Sequence, residues 1–127
     1  SIANVLLFLV VLLFFRGHYR IICRAELGEL AKRMDDFKAS RVSLVAVGPQ
    51  TPAQGKGLGL PFPVLSDEGL EVSKKYGLFH EKGLASMDVP RPATLLIDKD
   101  RKIRWIRVGD NIRKRPAPEE IFEELRK

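Results

Sequence analysis

Cysteine, tryptophan and histidine are nearly missing from this chain of 127 residues, which holds one, one and two of them. A single cysteine, Cys23, excludes an intramolecular disulfide and any metal cluster built on several thiolates. His18 and His80 stand far apart and far from a second thiol, so they form no metal-ligand spacing, and no glycine-rich phosphate loop follows a strand at the required interval. No internal repeat or low-complexity tract interrupts the chain. The reading is one domain over residues 1–127 with no metal and no cofactor. Its length suffices to bury roughly two-thirds of the surface that the unfolded chain exposes. A lone thiol fits a reducing compartment, so a cytoplasmic location is expected.

Charge is absent from the first fifteen residues, and from Ile2 to Phe15 only Asn4 is polar. The run is shorter than the ~20 residues of a membrane span, and it lacks the basic leader and small-residue cleavage site of a signal peptide. A buried strand is therefore expected. Membrane attachment through residues 2–15 is the rival, because the run exceeds the ~5–6 residues of an ordinary strand. Residues 1–9 are open to either reading, strand extension or apolar leader.

Beyond Gly17 the period changes. Leu27, Leu30, Ala31 and Met34 recur at helical spacing, which predicts an amphipathic helix over about residues 22–38 with Cys23 in its first turn, on the apolar face. Val42–Val47 reads as a central strand closed by Gly48 and Pro49. Thr51-Pro52 can cap a helix, but Gly55, Gly57 and Gly59 limit it to one turn. Phe62–Leu65 leads to a cap-like Ser66-Asp67-Glu68 and a helix ending at Gly77, followed by a loop through Gly83. Thr94–Ile97 and Ile103–Val108 flank a turn and predict a hairpin, and Pro118-Glu119-Glu120 opens a last helix. Strands separated by helices and closed by a hairpin imply an α/β fold with a mixed sheet.

The formal net charge is +6. Arg101, Lys102, Arg104 and Arg107 lie close together within a basic stretch running from Lys99 to Arg115. Such charge raises encounter with any anion, but no nucleic-acid module accompanies it, so no specific nucleic acid is expected and a solvated strand face accounts for it. The acidic pairs Asp35-Asp36 and Glu119-Glu120 read as solvated helix faces, and Trp105 as packing.

The segment FFRGHYRIICRAELGEL, Phe14 to Leu30, resembles the strand-to-helix turn of the peroxiredoxin-like (thiol-specific antioxidant, redoxin) branch of the thioredoxin superfamily, which typically reads like FYRGHWCPYCRAEL. Arg16, Gly17, His18, Cys23, Arg24, Ala25, Glu26 and Leu27 match as they stand. LGLPFPVLSD from Leu58, YGL from Tyr76, VPRPATLLID from Val89 and RPAPEEI from Arg115 follow in the same order. The resemblance implies a thioredoxin-like fold, a central mixed β-sheet with helices on both faces, and would make Pro92 a cis-proline facing the reactive turn.

It also implies thiol chemistry at Cys23. A helix N-terminus favours the thiolate, and guanidinium charge from Arg16, Arg20 and Arg24 favours it further and can hold a peroxide oxygen. The candidate catalytic residues are Cys23, Arg20 and Arg16, with Gly17, His18, Arg91 and Pro92 as turn or substrate-binding positions. The branch's CxxC has become Arg20-Ile21-Ile22-Cys23, which removes any dithiol cycle within the motif. The related TxxC motif of peroxiredoxins places the peroxide-attacking cysteine where Cys23 falls, but with Arg20 for its threonine and Arg16 for its leading proline. The arginine that peroxiredoxins carry beside the cysteine aligns with Pro92, and Arg91 stands one position away.

Two readings follow. In the first the chain is an antioxidant thiol peroxidase or related oxidoreductase that reduces a small hydroperoxide through Cys23 and is regenerated by an external thiol; a homodimer is compatible with it. In the second Cys23 is a small buried hydrophobe, and the chain is a redox-inactive binding module or a decayed family member.

Overall fold

The computed structural model describes residues 9–18, 20–84, 87–109 and 116–127. Residues 1–8 of the apolar run, and Arg113 to Arg115 of the basic stretch, lie outside them. Strand β1, Leu9–Phe14, is the middle strand of five. Val11 and Leu13 face one core cluster while Leu12 and Phe14 face another. A strand buried on both faces needs apolar side chains at consecutive positions, which is why this part of the sequence shows no alternation. Residues 9–14 are thereby taken up by the sheet, and no helix among the described residues is long and apolar enough to cross a membrane.

β1 pairs in parallel with β2 (Val42–Gly48) and antiparallel with β6 (Ala93–Ile97). β3 (Val64–Ser66) extends the sheet beside β2, and β7 (Ile103–Val108) closes the other side against β6, giving the order β3-β2-β1-β6-β7. Leu27 and Leu30 of α1 (Ile21–Ala31), Phe37 of α2 (Met34–Ala39) and Ile121 and Phe122 of α5 (Pro118–Leu125) fill one face. The chain leaving α4 (Glu71–Lys75) covers the other, with Leu78 in the cluster and the Tyr76 ring 5.2 Å from Phe14.

Three local expectations are corrected. The helix expected over residues 22–38 is two helices. Arg33 N donates to Leu30 O, a tighter turn than an α-helix makes, and Arg33 leaves helical geometry at φ −104°, ψ 15°. The break turns Phe37 inward, where its ring stacks on Phe122 at 4.5 Å, and sets the Arg33 guanidinium over the same Phe122 ring at 4.8 Å. Arg33 also pairs with Asp36 and Glu119.

The helix expected from Ser66 starts only at Glu71, because Leu70 sits in the left-handed region (φ 58°). Asp67 still serves the first turn from outside it. Its carboxylate accepts from Val72 N (3.1 Å), Ser73 N (2.9 Å) and Ser73 Oγ (2.8 Å). These are donors that a helix start leaves without partners. The one-turn helix α3 (Pro52–Lys56) forms as expected, with Thr51 and Gln54 exchanging hydrogen bonds in a capping box.

The third correction matters most for the site. Residues expected as a loop through Gly83 form β4 (Phe79–Leu84), which pairs antiparallel with β5 (Met87–Pro90) in a second, two-stranded sheet. His-Glu-Lys-Gly gives no apolar alternation, and the register shifts between His80 and Leu84, so the usual strand signal is missing.

Candidate active site

The connection from β1 to α1 carries the residues singled out by sequence. Phe15 continues the sheet one residue beyond β1 through Phe15 N to Val47 O (3.0 Å) and is fully buried. Its ring lies over Gly48. A Cβ on Gly48 would stand 2.4 Å from the ring and 2.3 Å from Gln50 Oε1, so only glycine fits there. This contact fixes where the connection leaves the sheet, and Arg16 follows directly.

Arg20 is the N-cap of α1 and shapes the helix start through its backbone: Arg20 N donates to Gly17 O (3.3 Å), and Arg24 N to Arg20 O (3.0 Å). Its side chain gives the first turn no capping hydrogen bond, and no acidic residue stands in that turn. Cys23 occupies the turn, with its thiol free but buried at 3% exposure in the cluster that holds Phe15, Leu27 and Leu30. A positive helix end and a reduced sulfur thus coincide, under apolar cover.

Arg16 is buried too, at 5% exposure. Its Nη1 donates to Gly83 O (3.2 Å) and its Nη2 lies 2.9 Å from His80 Nδ1. A guanidinium only donates, so Nδ1 accepts and the ring proton of a neutral His80 resides on Nε2. Burial lowers the Arg16 pKa, and the charge of Arg91 lowers it further; Cys23 acts in the opposite sense, and Arg20 adds to the lowering. His80 is likewise pushed down, by burial first and then by Arg91 and Arg16. The four positions Arg16, Arg20, Cys23 and Arg91 therefore lie within one electrostatic neighbourhood, joined by His80.

Arg16, Gly17 and His18 line a cleft of about 170 Å³ together with Gln50, Gln54 and Asp88. A larger cleft, of about 340 Å³, lies between α2 and β2 beside Met34 and Phe62 and is not walled by any of the candidate residues. Pro92 does not carry the cis bond that the resemblance implied: no cis peptide occurs among the described residues. The chain runs extended from β5 into β6, held by Arg91 N to Leu78 O (2.6 Å) on one side and Gly109 N to Pro92 O (2.8 Å) on the other.

His80, Gly83 and Gln50 were missed by sequence reasoning. All three depend on the unforeseen β4–β5 hairpin or on the close approach at Gly48. A Cβ on Gly83 would meet His80 Nδ1 at 2.3 Å, so this glycine is what lets the ring lie against the strand.

A parallel β1–β2 pair, an antiparallel hairpin and a cysteine in the first turn of the helix after β1 define a thioredoxin-like fold. The chain belongs to the AhpC/TSA family, whose model matches residues 7–106. It is similar to a peroxiredoxin of Thermoplasma volcanium, 26% identical over 107 residues, which covers 76% of this chain and 51% of that protein. It is also similar to alkyl hydroperoxide reductase C of Helicobacter pylori, 26% identical over 112 residues, 80% of this chain and 54% of that protein. The chain thus spans about half the length of the curated relatives it matches. Among solved structures, reduced Prx3 of Vibrio vulnificus superposes with a TM-score of 0.85 at 19% identity, covering 95% of this chain and 83% of that one. Peroxidoxin BcpB of Mycobacterium tuberculosis gives 0.78 at 23% identity, with 98% and 83% covered.

Proposed function

We propose that the chain is a one-cysteine thiol peroxidase that reduces small hydroperoxides in the cytosol. The observation that carries this reading is the position of Cys23, in the uncapped first turn of α1 and within the field of Arg16, in a family whose relatives are named peroxiredoxins. The Cys23 thiolate attacks the terminal oxygen of the hydroperoxide, the O–O bond breaks, and the leaving oxygen takes a proton and departs as an alcohol or water. Cys23 is thereby oxidised to a sulfenic acid. One external thiol condenses with it, releasing water and leaving a mixed disulfide. A second thiol attacks that disulfide, restoring Cys23 and leaving as the oxidised reductant. Arg20 and Arg16 supply positive charge beside the sulfur, Arg91 adds to it from the connection between β5 and β6, and Gly17, His18 and Pro92 shape the turn. Because Cys23 is buried, peroxide reaches it through local opening of the first helical turn.

The test is intact-mass spectrometry after brief exposure to stoichiometric hydrogen peroxide with a sulfenic-acid trap. The expected result is one adduct per chain, absent from Cys23→Ser. No adduct on folded protein overturns the peroxidase. That outcome favours the second reading, a redox-inactive binding module, which the apolar burial of Cys23 supports.

A further inference from the structure

We propose that the outer half of the β4–β5 hairpin is an acid-released clasp: neutral His80 holds it on Arg16, and protonated His80 lets it go. The proposal does not depend on whether Cys23 reacts with peroxide.

The first observation is a two-point contact on one bulge. Arg16 Nη1 donates to Gly83 O (3.2 Å) and Nη2 lies 2.9 Å from His80 Nδ1, where the hairpin register shifts between His80 and Leu84. A guanidinium has donors only, so the second contact exists while Nδ1 keeps its lone pair and is gone once Nδ1 carries a proton. The ring lies directly on the backbone of the bulge. A Cβ on Gly83 would stand 2.3 Å from Nδ1 and 2.5 Å from Cγ, so the two groups that Arg16 holds form one packed unit. Lys82, between them in sequence, adopts φ 49°, a conformation disfavoured for a residue with a Cβ, and the bulge is therefore closed against local strain.

The second observation is the charge around the ring. Arg16 is buried, and no carboxylate among the described residues pairs with it. Arg91, on the connection from β5 to β6, acts on His80 in the same sense as Arg16. A proton on His80 therefore sets a third cation against two others. On the hairpin itself Glu81, Lys82 and Asp88 are exposed, and Asp88 Oδ1 already accepts from Lys82 N (3.0 Å). Lys74 of α4 lies over the neighbouring Phe79 ring. Burial first, then Arg91 and Arg16, push the His80 pKa down. Opening removes these influences, so the clasp is complete above the ordinary histidine value of 6.5 and is lost as pH falls through the lower, folded value.

The third observation is where the hairpin is anchored. Leu78 and Val89 are buried at its base, and Arg91 N donates to Leu78 O (2.6 Å), so the base stays with the body of the protein. The outer half, with Glu81, Lys82, Met87 and Asp88 exposed, meets the turn before α1 through Arg16. Met87, Asp88 and Val89 line the same cleft as Arg16, Gly17 and His18. Release of the clasp thus widens this cleft and uncovers the Arg16 guanidinium.

The experiment is NMR of the isotope-labelled full chain from pH 7 downwards, reading the His80 ring, the exchange of the Arg16 guanidinium protons with water, and the β1 amides as the reference for the fold. His80→Asn keeps an acceptor where Nδ1 stood but does not titrate, and it retains Glu81 and Asp88, so their titration and the intrinsic pH dependence of exchange cancel in the comparison. The expected result is that Arg16 exchanges about tenfold faster in the wild type than in His80→Asn once the ring is protonated, and equally at pH 7; tenfold is the loss of one hydrogen bond from a charged donor. His80→Leu, with no acceptor, should show the fast exchange already at pH 7. A protonated ring with Arg16 exchange matching His80→Asn overturns the proposal, as does unfolding of β1 before the ring is protonated. If neither variant folds, the wild type alone decides: Arg16 exchange that shows no step at the His80 midpoint overturns the clasp.

Discussion

Cys23 and Arg16 stand at opposite ends of one connection and are almost equally buried, yet their surroundings differ in kind. Cys23 sinks among Phe15, Leu27 and Leu30, where nothing asks for charge. Arg16 sinks against a carbonyl and an imidazole of the β4–β5 hairpin, where charge is present and uncompensated. The apolar end is held by packing, where lost volume costs stability, and the polar end by a few directional contacts, each of which can be broken singly. The turn is therefore held by packing where the thiol sits and by hydrogen bonds where the cation sits.

The largest effect is expected where the two ends share a support. Phe15 packs into the cluster that holds Cys23 and also over Gly48, so Phe15→Ala should cost about 3–5 kcal/mol in urea unfolding. Simultaneously it should speed alkylation of Cys23. A smaller loss would mean that the turn is positioned elsewhere. Gly83→Ala acts on the polar end alone. By pushing the His80 ring away it should destabilise by about 1–3 kcal/mol and leave thiol alkylation nearly as slow as in wild type. Fast alkylation in this variant would show that the ends are coupled.

Smaller still is Arg16→Met. Replacing a buried, unpaired cation by an apolar side chain of similar reach should change stability by less than about 1 kcal/mol, while lowering the rate of sulfenic-acid trapping. The weakest effect is a pH dependence. His80 has its pKa lowered by the fold, so its contribution is complete above the ordinary histidine value of 6.5 and is lost as pH falls below that value through the folded one. Chemical denaturation between pH 7 and pH 5 should show the decline, with the described charged neighbours Arg16 and Arg91 opposing protonation. His80→Gln should flatten it.

Much of the sheet was legible because its strands carry strong local signals. β2, β6 and β7 are short apolar or β-branched runs between turn residues, and β1 betrays its burial by having no polar alternation. The break at Arg33 was not legible: it is set by the Arg33 contacts with Glu119 and Phe122, which are far away in sequence. The β4–β5 hairpin was hidden for a related reason, since Glu81, Lys82 and Gly83 break the alternation in β4 and its contacts with Arg16 come from a segment far away in sequence. At the site, Cys23 and the basic residues near it could be found from the chain, whereas His80 and Gln50 could not. Their roles come from being brought against Arg16 and Gly48, and nothing local in the sequence marks that.

The closeness of Phe15 to Gly48 also constrains how this turn can change by mutation. A methyl group at residue 48 would meet both the phenyl ring and Gln50 Oε1, and a smaller residue at 15 would relieve only the first of these contacts. The two positions should therefore show non-additivity: Gly48→Ala is expected to be less harmful after Phe15→Leu than in the native background, though still destabilising. A lineage that gains a side chain at residue 48 must also change what surrounds it at residues 15 and 50, which ties the history of this turn to that of the segment after β2.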